Sequence, residues 1–237
     1  PGYDLVVQGE AGLMALNGEH GQGPLKFGVA VVDMFTGMYA AQAILAALFD
    51  RQRTGRGRHV ELALYDSGLT ITSYYGMEAL LQGRDPPKVG NAHPSVVPYG
   101  VFEAADGPLV ITVGNNAQFQ RLCTEVLERP DLAADPRFTT NADRAANRQA
   151  LMEQLHPALA QRPRALLLQR LAAAGIPCGE VATLLDAFSS RRTAEAGMVR
   201  TLPTREGREV PVLSPPYRFD GARAPVRTVP PALGQDT

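Results

Sequence analysis

The sequence predicts an α/β protein, and three observations lead to that class. The first third alternates short apolar segments with long helical ones, a hairpin pattern follows, and the composition is that of a globular chain. The 237 residues are 45% hydrophobic, which is enough apolar surface to fill a core. The net charge of −1 gives no indication that a nucleic acid or an anionic membrane is a partner.

The first third is predicted to run strand, helix, strand, helix after a start rich in loops and turns. An apolar strand at Gly28–Val32 leads into a helix at Asp33–Arg53, which Gly55 ends because glycine adopts the left-handed conformation readily. Polar and apolar residues alternate along Arg58–Leu64, which predicts a half-buried strand. Asp66 is then predicted to cap a helix over Asp66–Gln82.

A loop and a second group of elements follow. Gly83–Tyr99 is rich in proline and glycine, which indicates a domain boundary or an active-site loop. Val101–Ala104 and Pro108–Val113 flank an Asp-Gly pair and predict a β-hairpin. The remaining predicted helices are Asn116–Leu127, a helix from an Asn141 cap to Leu159, Arg164–Ala174 and Leu184–Phe188, with strand and turn beyond Met198.

Three absences bear on the class of protein. No stretch reaches about 18 strongly apolar residues, so no transmembrane helix is predicted, and the uncharged run Met34–Phe49 is expected to be a buried core helix. Pro1 is not followed by a signal-peptide pattern. Cys123 and Cys178 lack metal-ligand spacing, so no metal site is predicted, and a reducing cytoplasm is the expected location.

Asp33 is the residue on which a functional interpretation depends. It lies where the predicted strand meets the long helix, and no other acidic residue occurs between Lys26 and Phe49. A carboxylate at this position can be a helix cap, because its oxygens accept backbone N–H groups. The apolar flanks Val29–Val32 and Met34–Phe35 favour a second reading, a desolvated carboxylate that acts as a nucleophile.

The chain resembles the family III (carnitine-dehydratase-like) CoA transferases. Eight words in the family's order carry the resemblance and cover nearly the whole chain: GYDLVVQGEAGLM, VVDMFTGMYAA, RTGRGRHVELAL, GNAHPSVVPYGVF, DGPLVITVGNNAQFQRLC, DPRFTTNADRAANR, GIPCGEV and PPALG. The resemblance implies transfer of CoA from an acyl-CoA donor to a carboxylic acid. It also implies that Asp33 is the nucleophile, working through anhydride and aspartyl-CoA thioester intermediates without a permanently bound cofactor. A coenzyme A thioester is then a substrate.

The resemblance further implies the domain organisation and the partners. Residues 1–82 are expected to form part of an incomplete Rossmann-like large domain carrying Asp33, 83–189 a smaller α+β domain with its linker, and 190–237 a segment returning to the large domain. Family members have a long segment before the match to Pro1, and they are interlocked homodimers. The expected partners are therefore an acyl-CoA, a small carboxylic acid and a second copy of the chain.

Four further residues are candidate contacts to substrate or CoA. His93 lies before Pro94 and is expected to donate a hydrogen bond to a substrate carboxylate, and Asn91 and Tyr99 share its loop; the alternative for each is a solvated loop residue. Arg56 belongs to a basic cluster at a helix end and is a candidate for CoA phosphates, because guanidinium groups suit phosphate. The alternative is that the cluster complements the helix dipole.

Two other functions stay open at this stage. An acyl-CoA racemase of the same fold would use Asp33 as a general acid or base, and an inactive fragment would only pair with a partner chain. The opening Gly-Tyr-Asp-Leu and the Gly90–Tyr99 loop look most like members that use succinyl-CoA and small dicarboxylic acids. The loop is not glycine-rich, which speaks against specificity for formyl-CoA and oxalate.

Overall fold

The N-terminal region, residues 2–82, consists of helices joined by extended segments. In the computed structural model, which describes residues 2–235, its five helices are α1 (Asp4–Glu10), α2 (Leu13–Leu16), α3 (Val31–Thr54), α4 (Leu64–Ile71) and α5 (Ser73–Gln82). The predicted long helix and its end are confirmed: Gly55 follows α3 with φ 71°, and its N–H donates to the Arg51 carbonyl at 2.8 Å.

The two strands predicted in this region are wrong. Gly28–Val32 contains a bend followed by the first residues of α3, and Arg58–Leu64 is extended but unpaired until α4 begins at Leu64. A strand exists only where a neighbouring strand accepts and donates its backbone hydrogen bonds. The structure describes no such neighbour for either segment, so neither forms a strand despite its strand-like sequence pattern.

The helix predicted over Asp66–Gln82 is present, but it begins earlier and is divided into two helices. It begins two residues earlier, at Leu64, so Asp66 lies in the first turn and is not the cap. It is also broken into α4 and α5 at Ser73, whose φ is 53°. The hydroxyl groups of Thr70 and Thr72 donate to the carbonyls of Asp66 and Leu69, a type of back-bonding that bends helices.

A small cluster holds these helices together. The buried members are Val7 and Ala11 of α1, Leu13 of α2 and Val32 of α3. Helix α4 approaches α1 closely at Gly68, where a β-carbon would lie 2.9 Å from side-chain atoms of Val7 and Ala11. A side chain at this position would therefore force the two helices apart.

Helix α3 does not match the expectation of a buried core helix. Only 6% of its most apolar 18-residue window is buried, and Met34, Leu45 and Phe49 are 60%, 66% and 75% exposed. The expectation that no segment could span a membrane also needs correction, because α3 is long and apolar enough to do so by length and composition alone. The core helix of a soluble protein meets the same criteria of length and composition.

The region from 97 to 178 builds a core around a β-hairpin. Strands β1 (Tyr99–Ala104) and β2 (Gly107–Thr112) pair antiparallel, with Ala104 opposite Gly107, and β3 (Cys178–Glu180) extends the sheet in the order β1-β2-β3. The predicted hairpin and the predicted loop before it are confirmed. The helices around this sheet are α6 (Asn116–Arg121), α7 (Pro130–Ala134), α8 (Asn141–Ala146), α9 (Arg148–Ala160) and α10 (Arg164–Ala173), with a π-helical turn at Leu122–Val126 and a 3₁₀ turn at Pro136–Phe138.

Two of the helix starts in this region are set by side-chain caps. Asn115 accepts from the N–H of Gln118 and begins α6. Thr140, and not Asn141 as predicted, caps α8 in a box where Thr140 and Asp143 each bind the other's backbone N–H. The predicted helix from Asn141 to Leu159 is interrupted at Asn147, which separates α8 from α9.

Spatial clustering of the chain gives two units, 1–178 and 179–237. The second unit contains α11 (Leu184–Ser189), α12 (Arg191–Ala196), the antiparallel pair β4 (Val199–Pro203) and β5 (Glu209–Leu213), and the short pair β6 (Arg218–Phe219) and β7 (Ala222–Arg223). The short helix at 184 and the strands beyond Met198 are as predicted. The division into 1–82, 83–189 and 190–237 stays a prediction, while the predicted mixture of helices and sheet is confirmed.

Candidate functional site

Asp33 lies in the first turn of α3 and is exposed to solvent. Among residues 2–235, no hydrogen bond or ion pair to its carboxylate is found. The apolar setting that the sequence suggested is absent in this chain, because Met34 and Phe35 on its C-terminal side are themselves exposed. The carboxylate is therefore open to a reactant on the solvent side of the helix end.

The cap of α3 comes from another helix. The Asp4 carboxylate accepts the N–H of Val32 at 2.8 Å and the N–H of Asp33 at 3.4 Å. Helix α3 has no side-chain cap of its own at Ala30. Because Asp4 satisfies these N–H groups, the capping interpretation of Asp33 is wrong, and the Asp33 side chain is left without a structural task.

Gln8 connects the Asp4 carboxylate to the segment before α3. Its side chain is 1% exposed and donates to Asp4 at 2.6 Å, while its amide oxygen accepts the N–H of Phe27 at 2.9 Å. The sequence analysis missed both residues. Their spacing of four on α1 was the available signal, since such a pair lies on one helix face.

Two of the three loop candidates line one cavity, and the third, His93, lies beside one of them. A cavity of about 250 Å³ is lined by Asn91 and Tyr99 with Glu19, Arg148 and His156 among its other walls. The His93 ring lies 5.3 Å from the Tyr99 ring, centroid to centroid. Asn91, His93 and Tyr99 are therefore neighbours, as their shared loop predicted.

Asp33 and these loop residues are not joined by any contact between side chains in the described part of the chain. The predicted CoA contact Arg56 is separated from Asp33 as well, since α3 lies between them and rises about 1.5 Å per residue over more than 20 residues. Asp33 and Arg56 are therefore about 30 Å apart along the helix. The structure does not bring these two candidates into one site.

The basic cluster at the end of α3 is organised around Asp50. Its carboxylate pairs with Arg53 at 3.0 Å and with Arg58 at 2.5 Å, and hydrogen bonds from Arg58 and then Arg53 hold the pKa of Asp50 below its usual range. Arg56 contributes only its backbone N–H, which donates to the Thr54 hydroxyl. Two of the three arginines are thus engaged locally, and Arg56 presents the free guanidinium within residues 2–235.

A metal centre has no support in the part of the chain that the structure describes. No group of three or more histidine, cysteine, aspartate or glutamate side chains lies together between residues 2 and 235. The candidate chemistry is therefore that of a single carboxylate and a polar loop.

Comparison with known sequences gives one consistent answer. The family model described as CoA-transferase family III matches residues 1–237. The succinate–glutarate CoA-transferase of Agrobacterium fabrum is 34% identical over 234 residues, which is 99% of this chain and 58% of that protein. The acetyl-CoA:oxalate CoA-transferase of Acetobacter aceti is 36% identical over 200 residues, which is 84% of this chain and 51% of that protein. The chain spans about half the length of the curated relatives it matches.

Solved structures agree with the sequence relatives. A CaiB/BaiF family protein from Brucella suis superposes with a TM-score of 0.84 at 40% identity, covering 99% of this chain and 60% of that one. A protein from M. tuberculosis superposes with a TM-score of 0.85 at 30% identity, covering 99% of this chain and 62% of that one. The fold that the resemblance implied is therefore confirmed over the length of this chain.

Proposed function

The chain belongs to CoA-transferase family III, and from this membership we propose that it carries the nucleophile of a CoA transferase. The activity moves CoA from an acyl-CoA donor to a carboxylic acid. The observation that carries the proposal is the exposed, unpartnered carboxylate of Asp33 in the first turn of α3. A helix start whose N–H groups already bind Asp4 leaves that carboxylate available for covalent chemistry.

The first half of the reaction transfers CoA to the enzyme. An Asp33 oxygen attacks the thioester carbonyl of the donor, the C–S bond breaks, and an anhydride and the CoA thiolate form. The thiolate then attacks the aspartyl carbonyl of the anhydride. This step gives the aspartyl-CoA thioester and releases the donor acid as a carboxylate.

The second half mirrors the first. The acceptor carboxylate attacks the aspartyl-CoA thioester, giving a second anhydride and the thiolate again. The thiolate attacks the acceptor's carbonyl in that anhydride, which forms the new thioester and returns the Asp33 carboxylate. The steps balance without an oxidant, a metal or a net proton transfer, because the CoA thiolate released in each half is the nucleophile of that half's second step and every other nucleophile and leaving group is a carboxylate.

The proposed donor is succinyl-CoA and the proposed acceptor is a small dicarboxylic acid such as glutarate. The names of several relatives support this choice, including a succinyl-CoA:glutarate CoA-transferase of Mus musculus that is 34% identical over 236 residues. The loop from Gly90 to Tyr99 is the proposed contact for the acid, because Asn91 and Tyr99 line one cavity and the His93 ring lies beside the Tyr99 ring. Arg56 stays the proposed contact for a CoA phosphate, but not for a CoA that reacts at Asp33 of the same chain, because about 30 Å of α3 separates the two.

The proposed assembly is a homodimer in the cytoplasm. The support lies in the apolar side chains that α3 and α5 expose, among them Leu45, Phe49, Leu80 and Leu81. An apolar surface of this kind marks an interaction face, because soluble proteins rarely leave one open. Sedimentation of the purified protein tests the dimer.

The test of the activity uses the protein expressed from its complete gene. Succinyl-CoA and glutarate are supplied in deuterated buffer, and formation of glutaryl-CoA is followed together with deuterium at the α-carbon. CoA transfer that is lost in Asp33→Asn supports the proposal. The matched control is Asp66→Asn, because Asp66 is also an exposed acid in the first turn of a helix. Deuterium incorporation without transfer would favour the racemase instead.

A further inference from the structure

Three side chains, here called the row, bind the backbone of the loop that carries His93. They are Asn141 and Arg144 of α8 and Arg148, the first residue of α9. Asn141 and Arg144 are three residues apart and lie on one face of α8, and Arg148 follows the break at Asn147. The loop residues they bind are 93–97, which have no regular secondary structure before β1 begins at Tyr99.

Two side chains of the row bind four backbone groups of the loop. Arg148 Nη2 donates to the carbonyls of His93 at 2.8 Å and Pro94 at 3.0 Å. Asn141 donates to the Ser95 carbonyl at 2.7 Å and accepts the N–H of Val97 at 3.1 Å. These bonds replace the hydrogen bonds that a helix or a sheet would otherwise supply.

Arg144 completes the row from inside the core. It is fully buried, and its Nε donates to the Val97 carbonyl at 2.7 Å. Its guanidinium lies 4.5 Å from the Phe119 ring centroid and also donates to the Phe138 carbonyl. Arg144 therefore anchors the loop to the hydrophobic core, whereas Asn141 and Arg148 bind it at the surface.

The backbone of the loop determines the tautomer of the His93 ring. The Nδ1 atom accepts the N–H of Ser95 at 3.1 Å and the N–H of Val96 at 3.0 Å. A ring nitrogen that accepts two N–H groups carries no proton, so the proton of the neutral imidazole is on Nε2. Nε2 has no partner among residues 2–235, and it is left as a single donor of defined direction.

We propose that Asn141 and Arg148 are positioning residues that hold the Nε2–H of His93 in place for the carboxylate of the acceptor acid. This inference rests on the proposed function, because it assigns the acid to the same loop. A donor fixed before the acid arrives avoids the entropic cost of ordering a loop rich in proline and glycine when the acid binds. The side chains of the row touch neither Asp33 nor the acid, so they act through His93.

The first experiment measures the His93 tautomer and does not depend on activity. Nitrogen chemical shifts of ¹⁵N-histidine-labelled protein distinguish Nδ1–H from Nε2–H rings. We expect only the Nε2–H form in the wild type, and a mixture of both forms in Arg148→Met and Asn141→Ala. His156, whose ring packs on Phe102 at 5.6 Å, is the internal reference that keeps its signal.

The second experiment separates binding of the acid from the chemistry. In the protein expressed from its complete gene, we expect Arg148→Met and His93→Ala to raise the KM for glutarate about tenfold, the effect of one lost hydrogen bond to a charged group. The kcat with glutarate falls less than the KM rises, because the lost contact binds the acid and does not carry out the attack by Asp33. The double variant loses no more than either single one, because both remove the same donor.

Two further variants show whether a raised KM comes from the loss of the bonds that Arg148 donates to the loop. Arg148→Lys retains one donor group for the same carbonyls and recovers part of the affinity if positioning is the role. Arg137→Met is the matched control, since Arg137 is exposed and pairs with Asp135 away from the loop. A wild-type Nδ1–H tautomer, or a tautomer mixture in the variants with no change in KM, overturns the inference. Absence of transfer in the wild type with the tautomer as expected refutes the proposed function alone.

Discussion

Residues 97–178 bury most of their large apolar side chains, whereas residues 2–82 leave many of theirs exposed to solvent. The first region buries a cluster of 20 apolar residues, from Val97 through Phe119 to Ile176. The second buries a cluster of four and exposes a series of large apolar side chains along α3, α4 and α5. The first region thus contains both sides of its own core, whereas the second exposes an apolar surface of the kind that marks an interaction face.

The largest expected difference comes from removing equal leucine side chains in the two regions. Leu155 of α9 is fully buried and Leu45 of α3 is 66% exposed. We expect Leu155→Ala to lower the free energy of unfolding by about 2–5 kcal/mol, because it leaves a cavity. Leu45→Ala in the chain 1–237 changes it by less than about 0.5 kcal/mol. Urea denaturation followed by hydrogen exchange in each region measures both, and equal losses would contradict the comparison.

The buried Arg144 sharpens the comparison, because it shows that the core of 97–178 depends on polar contacts as well. Burial lowers the pKa of Arg144, so the charge itself is unfavourable there. Arg144→Met relieves that cost but leaves the carbonyls of Val97 and Phe138 without a donor, at about 1–3 kcal/mol each. We expect a net loss of stability in thermal unfolding. Arg137→Met, which alters an exposed ion pair, has a smaller effect; a stabilised Arg144→Met protein would show that the carbonyls find other partners.

The cap that Asp4 provides for α3 is one of the contacts that hold residues 2–82 together, and its removal tests how much it contributes. We expect Asp4→Ala to destabilise the start of α3 by about 0.5–2 kcal/mol, because the N–H groups of Val32 and Asp33 lose their acceptor. Asp33→Asn has no such effect if its carboxylate is not a cap. Amide hydrogen exchange at Val32 and Asp33 reports the difference. Faster exchange in Asp33→Asn than in Asp4→Ala would reverse the assignment.

Cys123 gives a test of the core of residues 97–178 at alkaline pH. Burial raises the pKa of the Cys123 thiol to about 12, above the value near 8.5 in an unfolded chain. The folded state holds this proton more tightly, so the stabilisation is complete below about pH 8.5 and is lost as the pH rises towards 12. We therefore expect unfolding of region 97–178 to become easier above pH 9. In Cys123→Ala this part of the pH dependence disappears; an unchanged slope would mean that other groups cause it.

The sequence predicted region 97–178 well and region 2–82 less well, for the same reason that separates them physically. The hairpin and the helix start near Asn116 follow from local turn and cap chemistry together with a core that the region itself contains. Strands at Gly28–Val32 and Arg58–Leu64 need hydrogen-bonding neighbours, which no local pattern can supply.

The candidate site, like the fold, was predicted only where the information is local in sequence. The sequence offers Asp33 and His93 as candidates, but it does not predict their surroundings. The cap from Asp4 spans 28 residues of sequence and the bond from Arg148 to His93 spans 55. Contacts of this length depend on the tertiary fold, so spacing along the chain does not reveal them.

The central claim is that Asp33 is a nucleophile, and one measurement tests it most directly. The protein expressed from its complete gene is mixed with succinyl-CoA, quenched, and analysed by intact mass and peptide mapping, for wild type, Asp33→Asn and Asp66→Asn. The account predicts a covalent adduct on the peptide containing Asp33 that hydroxylamine removes, present in Asp66→Asn and absent in Asp33→Asn. CoA transfer without an adduct, or an adduct that persists in Asp33→Asn, would contradict it.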